Sequence, residues 1–164
     1  MADRLFNVLF LCTHNSARSV MAEALLNTIG RGRFQAFSAG SMPRGRVHPF
    51  ALDMARTIGY LTDEIRSKSW DEFARPGAPL MDIIITVCDA AAGEACPVWP
   101  GHPATAHWGF PDPSRTPGSD DEKRHAFDQV FQAIRRRIEL LVSLPVEKLE
   151  HPALASELKR IHTP

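Results

Sequence analysis

A short apolar run, Val8-Leu9-Phe10-Leu11, ends in a small polar loop that leads at once into a helical pattern. The run reads as a buried strand. Ser19 to Ile29 reads as a helix, with Gly30 as its stop. Between them lies Cys12-Thr13-His14-Asn15-Ser16-Ala17-Arg18. A strand that passes into a helix through such a loop aims backbone N–H groups and a helix N-terminus at one spot, which favours anions. Thr13, His14, Asn15, Ser16, Ala17 and Arg18 are therefore candidate oxyanion-binding residues. Arg18 adds a planar, permanently charged fork suited to a tetrahedral oxyanion. Cys12 stands at the floor of the cradle, and the same positive field is expected to lower its pKa and favour the thiolate. Cysteine and arginine at this spacing are a weak signal alone; the strand before, the helix after and Asn15-Ser16 within strengthen it. The bland alternative is a buried structural cysteine at a strand end.

The remaining segments keep alternating. Phe34 to Ala39 is a short strand candidate closed by Gly40, followed by a Gly/Pro/Arg loop to Pro49. Phe50 to Ile58 fits a helix stopped by Gly59, and Trp70 to Ala74 fits a short helical turn before the breakers Pro76 to Pro79. Leu80 to Val87 is dense in β-branched residues and reads as the clearest buried strand. Thr105 to Trp108 is a further short strand candidate. Ser119-Asp-Asp-Glu122 is a capping-box signature. Phe127, Val130, Phe131, Ile134, Ile138, Leu141 and Val142 follow it at helical spacing and read as core. Pro145 ends that helix, and the tail predicts a short amphipathic helix through Leu154, Leu158 and Ile161. Strands alternating with helices imply an α/β fold with a parallel sheet covered on both faces. We place one domain at residues 1–145 and a C-terminal helical extension at 146–164.

A chain of 164 residues can bury a proper core. Lys+Arg and Asp+Glu both number 19, so no global basic field points to nucleic acid. Arg135-Arg136-Arg137 reads as a solvated helix face. No stretch is long and apolar enough for a membrane span, and because Met1-Ala-Asp-Arg4 leads straight into the first strand no signal peptide is expected. Three cysteines are too few for a secreted disulfide framework, which makes the cytoplasm the expected compartment.

Residues 88–118 are rich in Pro, Gly and Ala and hold Cys88, Cys96, His102, His107, Trp108 and Asp112; so long a loop in a compact domain is usually functional or mobile. In parallel sheets ligands sit beyond the carboxyl ends of the strands. Cys12 and Cys88 each follow a strand directly, and neighbouring strands lie only ~5 Å apart. The two sulfurs are then expected close enough to bond after a modest loop movement. Cys88 and Cys96 enclose a short run of mostly small residues, which closes at little entropic cost. One nucleophile with two closable thiols suggests sequential thiol–disulfide exchange.

The Cys12–Ser19 loop, the Thr86-Val87-Cys88 strand end, the Cys96-Pro97 pair and His107-Trp-Gly-Phe-Pro-Asp112-Pro113 together resemble the thioredoxin-coupled arsenate reductases, from about residue 6 to about residue 142. These share the fold of the low-molecular-weight protein tyrosine phosphatases, which have the first loop and the Asp-Pro but lack the redox pair. The resemblance implies a three-layer α/β sandwich around a central four-stranded parallel sheet. It implies arsenate as substrate, phosphate as competitor and thioredoxin as the reductant, with no organic cofactor and no catalytic metal. It also implies site roles. Cys12 attacks arsenic, Arg18 holds the oxyanion, Ser19 hydrogen-bonds the thiolate and Asp112 protonates the departing oxygen. Cys88 then attacks Cys12, and Cys96 attacks Cys88. This chain departs from some members in having Ala17 instead of a second loop cysteine and His14 instead of glycine. Some members bind potassium through residues matching Asn15, Glu23, Ser38 and an aspartate; that last position here is Trp70, with Asp71 beside it, which argues against the ion.

Other readings compete. Asp112-Pro113 is also a common turn pair, Asn15 suits a left-handed loop position, and Glu23 reads equally as a solvated helix residue. A phosphomonoesterase would need only Cys12, Arg18 and Asp112, but Ser-Arg-Thr-Pro after Pro113 lacks the tyrosines that often line a phosphotyrosine pocket. A zinc module on Cys88, Cys96, His102 and His107 has the right ligand types at spacings of no common finger. An oxyanion-binding protein without turnover would keep binding after Cys12→Ser.

Overall fold

The computed structural model describes residues 5–63, 65–88 and 102–162. Four parallel strands, β1 (Phe6–Leu11), β2 (Phe34–Ala39), β3 (Ile83–Thr86) and β4 (Ala104–His107), form one sheet in the order β2-β1-β3-β4. The helices are α1 (Arg18–Ile29), α2 (Pro49–Thr57), α3 (Asp71–Ala74), α4 (Asp120–Ser143) and α5 (His151–His162). The expected three-layer arrangement is present, with unequal outer layers. Val8, Phe10, Ile83 and Ile85 pack with α1, α4 and α5 on one face. Leu9, Leu11 and Ile84 face the other way, against Phe73 of α3 and Met81. This alternation is the two-residue period of a strand, here apolar on both sides because both faces are covered.

Strand limits differ from the sequence reading at three strands; β4 is Ala104–His107, one residue earlier than Thr105 to Trp108. β1 begins two residues early because Phe6 and Asn7 pair with Phe34 and Gln35. β3 is only Ile83–Thr86, shorter than Leu80 to Val87. Its start is replaced by a side-chain clasp: Asn7 N–H donates to Asp82 Oδ2 at 2.8 Å, and Asn7 Nδ2 donates to the Leu80 carbonyl at 2.9 Å. Leu80 is left exposed. The second helix starts at Pro49, whose missing N–H costs nothing at a first helical position, and His48 caps it by accepting from Phe50 N–H. The capping box at Ser119 and Glu122 forms as expected. Of the α4 residues read as core, Val142 is partly buried and the others are fully buried.

The tail joins the same core. Val146, Leu154, Leu158 and Ile161 are buried with α1 and α4. Trp108, fully buried, donates from Nε1 to the Leu158 carbonyl at 2.9 Å. Arg33 ties the end of α4 to the base of β2 by donating to the Val142 and Leu144 carbonyls. Among the described residues no helix is long and apolar enough to cross a membrane.

Candidate active site

The loop after β1 is an anion cradle because of where its carbonyls go. Thr13 C=O accepts from Met42 N–H at 2.8 Å, and Ser16 C=O accepts from His48 N–H at 2.8 Å. His14 C=O accepts from Arg44 N–H and from Ser67 Oγ. With those carbonyls held outward by residues 42–48 and 67, the loop's amides are left to line its interior. Asn15 sits at φ 47°, the left-handed region that asparagine tolerates. Its buried side chain splits the loop's tethers: Oδ1 accepts from Lys68 N–H at 2.9 Å, and Nδ2 donates to Ser19 Oγ at 2.9 Å. Gly40, at the end of β2, allows the close approach. A Cβ there would lie 2.5 Å from both the Cys12 and Thr13 carbonyl oxygens. The sequence marked Gly40 only as a strand end.

β1 and β3 are hydrogen-bonded neighbours, as the placement of the two thiols required. Val87 N–H donates to Leu11 C=O at 2.9 Å, so Cys12 and Cys88 emerge side by side. Both are buried thiols, and Cys88 lies near enough to Cys12 to be the largest influence on its ionisation. Cys88 Sγ also accepts from Thr13 N–H at 3.4 Å and lies 3.6 Å from Thr13 Oγ1. The expected lowering of the Cys12 pKa is overturned. The neighbouring Cys88 and burial push the thiol up, and Arg18 opposes them without prevailing. The sequence placed both Arg18 and the second sulfur near Cys12, but only the positive charge of Arg18 entered the expectation for its pKa.

Arg18 and Asp112 face each other across an open cleft of about 390 Å³ lined by Thr13, His14, Cys88, Phe110 and Arg115. Arg18 Nη1 donates to the Phe110 carbonyl at 2.9 Å, and Nη2 lies 3.6 Å from Asp112 Oδ2. Asp112 Oδ1 caps a single 3₁₀ turn at Pro113–Arg115, accepting from Ser114 N–H at 3.0 Å and Ser114 Oγ at 2.7 Å. Partial burial pushes the Asp112 carboxyl up. The Ser114 hydrogen bonds with Arg18 and Arg115 outweigh it, and the net displacement is below the usual carboxylate range. The turn reading of Asp-Pro and the site placement therefore coexist. Cys96 lies outside the described residues, as does the proposed Cys88–Cys96 closure. Among the described residues no group of three or more metal-type side chains gathers.

Glu23 is a correction: it is buried, not solvated. Its Oε1 accepts from Ser38 Oγ at 2.8 Å and lies 3.9 Å from Lys68 Nζ. The residues that would correspond to a potassium site do not fit the ion. The oxygens of Asn15 and Glu23 face the Lys68 N–H and ammonium, and Asp71 is exposed.

Residues 7–153 match the family described as low molecular weight phosphotyrosine protein phosphatase. An arsenate reductase of Halalkalibacterium halodurans is 36% identical over 131 residues, covering 80% of this chain and 91% of that one. A crystal structure of arsenate reductase from Archaeoglobus fulgidus superposes with a TM-score of 0.64 at 29% identity, over 84% of this chain and 99% of that one. A thioredoxin-dependent arsenate reductase of Corynebacterium glutamicum gives a TM-score of 0.55 at 25% identity, over 86% of this chain and 65% of that one. The loop, the parallel sheet and the extent of the match all agree: the chain belongs to the low molecular weight phosphotyrosine protein phosphatase family, and arsenate reductases are among its relatives there.

Proposed function

We propose that this chain reduces arsenate to arsenite through Cys12, Cys88 and Cys96, with thioredoxin as the restoring dithiol. The observation that carries the reading is the Cys12–Cys88 contact at the floor of the anion loop. A phosphatase has no use for a second thiol there, and the arsenate reductases similar to this chain supply the substrate. Arsenate enters the loop against the inward amides and Arg18. Cys12 Sγ bonds to arsenic, and one arsenate oxygen leaves as water. Asp112 takes the proton of the Cys12 thiol and passes it to that oxygen, a hydroxyl of the bound arsenate, so that water departs and the carboxylate is restored. Cys88 Sγ then attacks Cys12 Sγ. The S–S bond forms, the S–As bond breaks, and its electron pair stays on arsenic, which departs as arsenite. Cys96 attacks Cys88 and returns Cys12 to the thiol. The cellular place we assign is the cytoplasm, where thioredoxin keeps thiols reduced.

The test is arsenate-dependent NADPH oxidation with thioredoxin and thioredoxin reductase. Wild type should turn over repeatedly, while Cys96→Ser should release arsenite once and stop. Absence of turnover in wild type, with Cys12-dependent hydrolysis of an aryl phosphate, would replace this reading by the phosphatase one.

A further inference from the structure

Against Asn15 of the anion loop lies a buried cation of the chain's own. Lys68 is 9% exposed and Glu23 8%. Lys68 Nζ stands 3.9 Å from Glu23 Oε1 and donates to the Arg66 carbonyl at 2.9 Å. Each end of this pair is tied to a different part of the loop's support. The Lys68 N–H holds Asn15 Oδ1, and the Lys68 carbonyl accepts from Gly40 N–H at 2.9 Å. Ser67, next to Lys68, donates to the His14 carbonyl. Glu23 lies on α1, one turn beyond Ser19, and accepts from Ser38, two residues before Gly40. The pair thus joins three segments that meet around the loop: α1, the end of β2 and residues 66–68.

We propose that Lys68 is the resident cation of this site, a positioning residue that neutralises Glu23 and fixes the loop through Asn15, so that the chain binds oxyanions without a monovalent metal ion. A carboxylate buried to this degree needs a cation, because desolvation otherwise drives it to its neutral form. Burial does push Glu23 up and Lys68 down, and each is opposed by the charge of the other. Removing the ammonium would leave Glu23 Oε1 and the Arg66 carbonyl around a vacated volume. Those are hard oxygen donors, the type an alkali cation accepts. A cleft of about 550 Å³ lined by Glu23, Arg66, Lys68 and Glu72 supplies an entry path from solvent.

The test is calorimetric binding of inorganic phosphate to wild type and Lys68→Ala at constant ionic strength. The salt is tetramethylammonium chloride, too bulky to enter, and then potassium chloride or methylammonium chloride. Wild-type affinity should be the same in all three. Lys68→Ala should lose about tenfold in tetramethylammonium, consistent with one uncompensated buried charge partly relieved by protonation. Potassium or methylammonium should restore its affinity and raise its thermal midpoint, and Lys68→Arg should stay near wild type. If Lys68→Ala does not fold, the pair Glu23→Gln with Lys68→Met removes both charges at similar shape and should bind phosphate with no response to either cation. Potassium-dependent binding by wild type would overturn the proposal. So would an unweakened Lys68→Ala, a weakened one that neither cation restores, or a cation response in the uncharged double variant. The proposal rests on the loop being the oxyanion site, which phosphate binding reports without any reduction step. Loss of turnover with these binding results intact would therefore count against the reductase reading alone.

Discussion

Gly40→Ala probes whether the fit between the end of β2 and the anion loop sets the rate. The added Cβ would sit 2.5 Å from the Cys12 and Thr13 carbonyl oxygens and 3.0 Å from Asn15 N, against an ordinary contact that begins at 3.4 Å. All three are backbone atoms, so no side chain can rotate away. Nor can residue 40 retreat freely, because its N–H donates to Lys68 C=O and its C=O accepts from Trp70 N–H, each at 2.9 Å. The deficit of about 0.9 Å must therefore be taken up largely by the loop that carries Cys12. Overpacking of this kind costs roughly 1–3 kcal/mol of stability. A displacement near 1 Å at a reacting centre costs on the order of 100-fold in rate. The assay is single-turnover arsenite release under saturating arsenate, with thermal midpoints measured alongside. Gly40→Ala should be folded at the assay temperature and about 100-fold slower in the first turnover. A folded Gly40→Ala with wild-type first-turnover rate would refute the claim that this contact positions the nucleophile.

Two further variants address the thiol pair and the acid. Cys88→Ala removes the largest upward influence on Cys12, so the pH midpoint for Cys12 alkylation should fall relative to wild type; an unmoved or higher midpoint would show that burial alone sets it. Asp112→Asn should slow the first turnover about 10²–10⁴-fold without abolishing phosphate binding, as loss of a general acid does, and an undiminished rate would remove Asp112 from the chemistry. The same substitution has a sign on the stability axis. Because the folded pKa of Asp112 is depressed, its contribution is fully present above an unfolded value of about 3.9 and is lost as the pH falls through the folded value. Acid melts of Asp112→Asn should therefore be less steep in that window than those of wild type.

The parts legible in the sequence are those decided within one segment. The β1–loop–α1 unit follows from an apolar run, a polar loop and a helical stretch, and its limits hold to within two residues. The Cys12–Cys88 juxtaposition was also accessible, because each thiol follows a strand and parallel neighbours bring such ends together. What stayed hidden depends on partners far along the chain. Ser19 to Leu26 are all buried, so α1 has no polar face on which Glu23 would be expected; its depth becomes explicable only with Lys68, which lies in a segment without periodicity. The loop 40–49 read as a mere connection, yet its N–H groups at Met42, Arg44 and His48 hold the carbonyls of Thr13, His14 and Ser16. Backbone hydrogen bonds between loops leave no trace in residue type, except where a glycine such as Gly40 marks a close approach.

The protonation favoured by the protein's own groups is opposite to the one the proposed chemistry needs at the moment of attack. Cys12 keeps its proton because Cys88 and burial hold it, and Asp112 lacks one because Ser114, Arg18 and Arg115 stabilise the carboxylate. An arsenate anion in the cleft changes both conditions. Its charge competes for Arg18, whose bonds to the Phe110 carbonyl and Asp112 are the contacts it must exchange for the substrate. Asp112 then faces an anion with less of its cationic support, which raises its pKa. The thiol proton and the acid's proton are in this sense one proton. The pair begins as thiol and carboxylate and passes to thiolate and carboxylic acid as the substrate arrives. The acid then delivers the proton to the departing oxygen as the S–As bond forms.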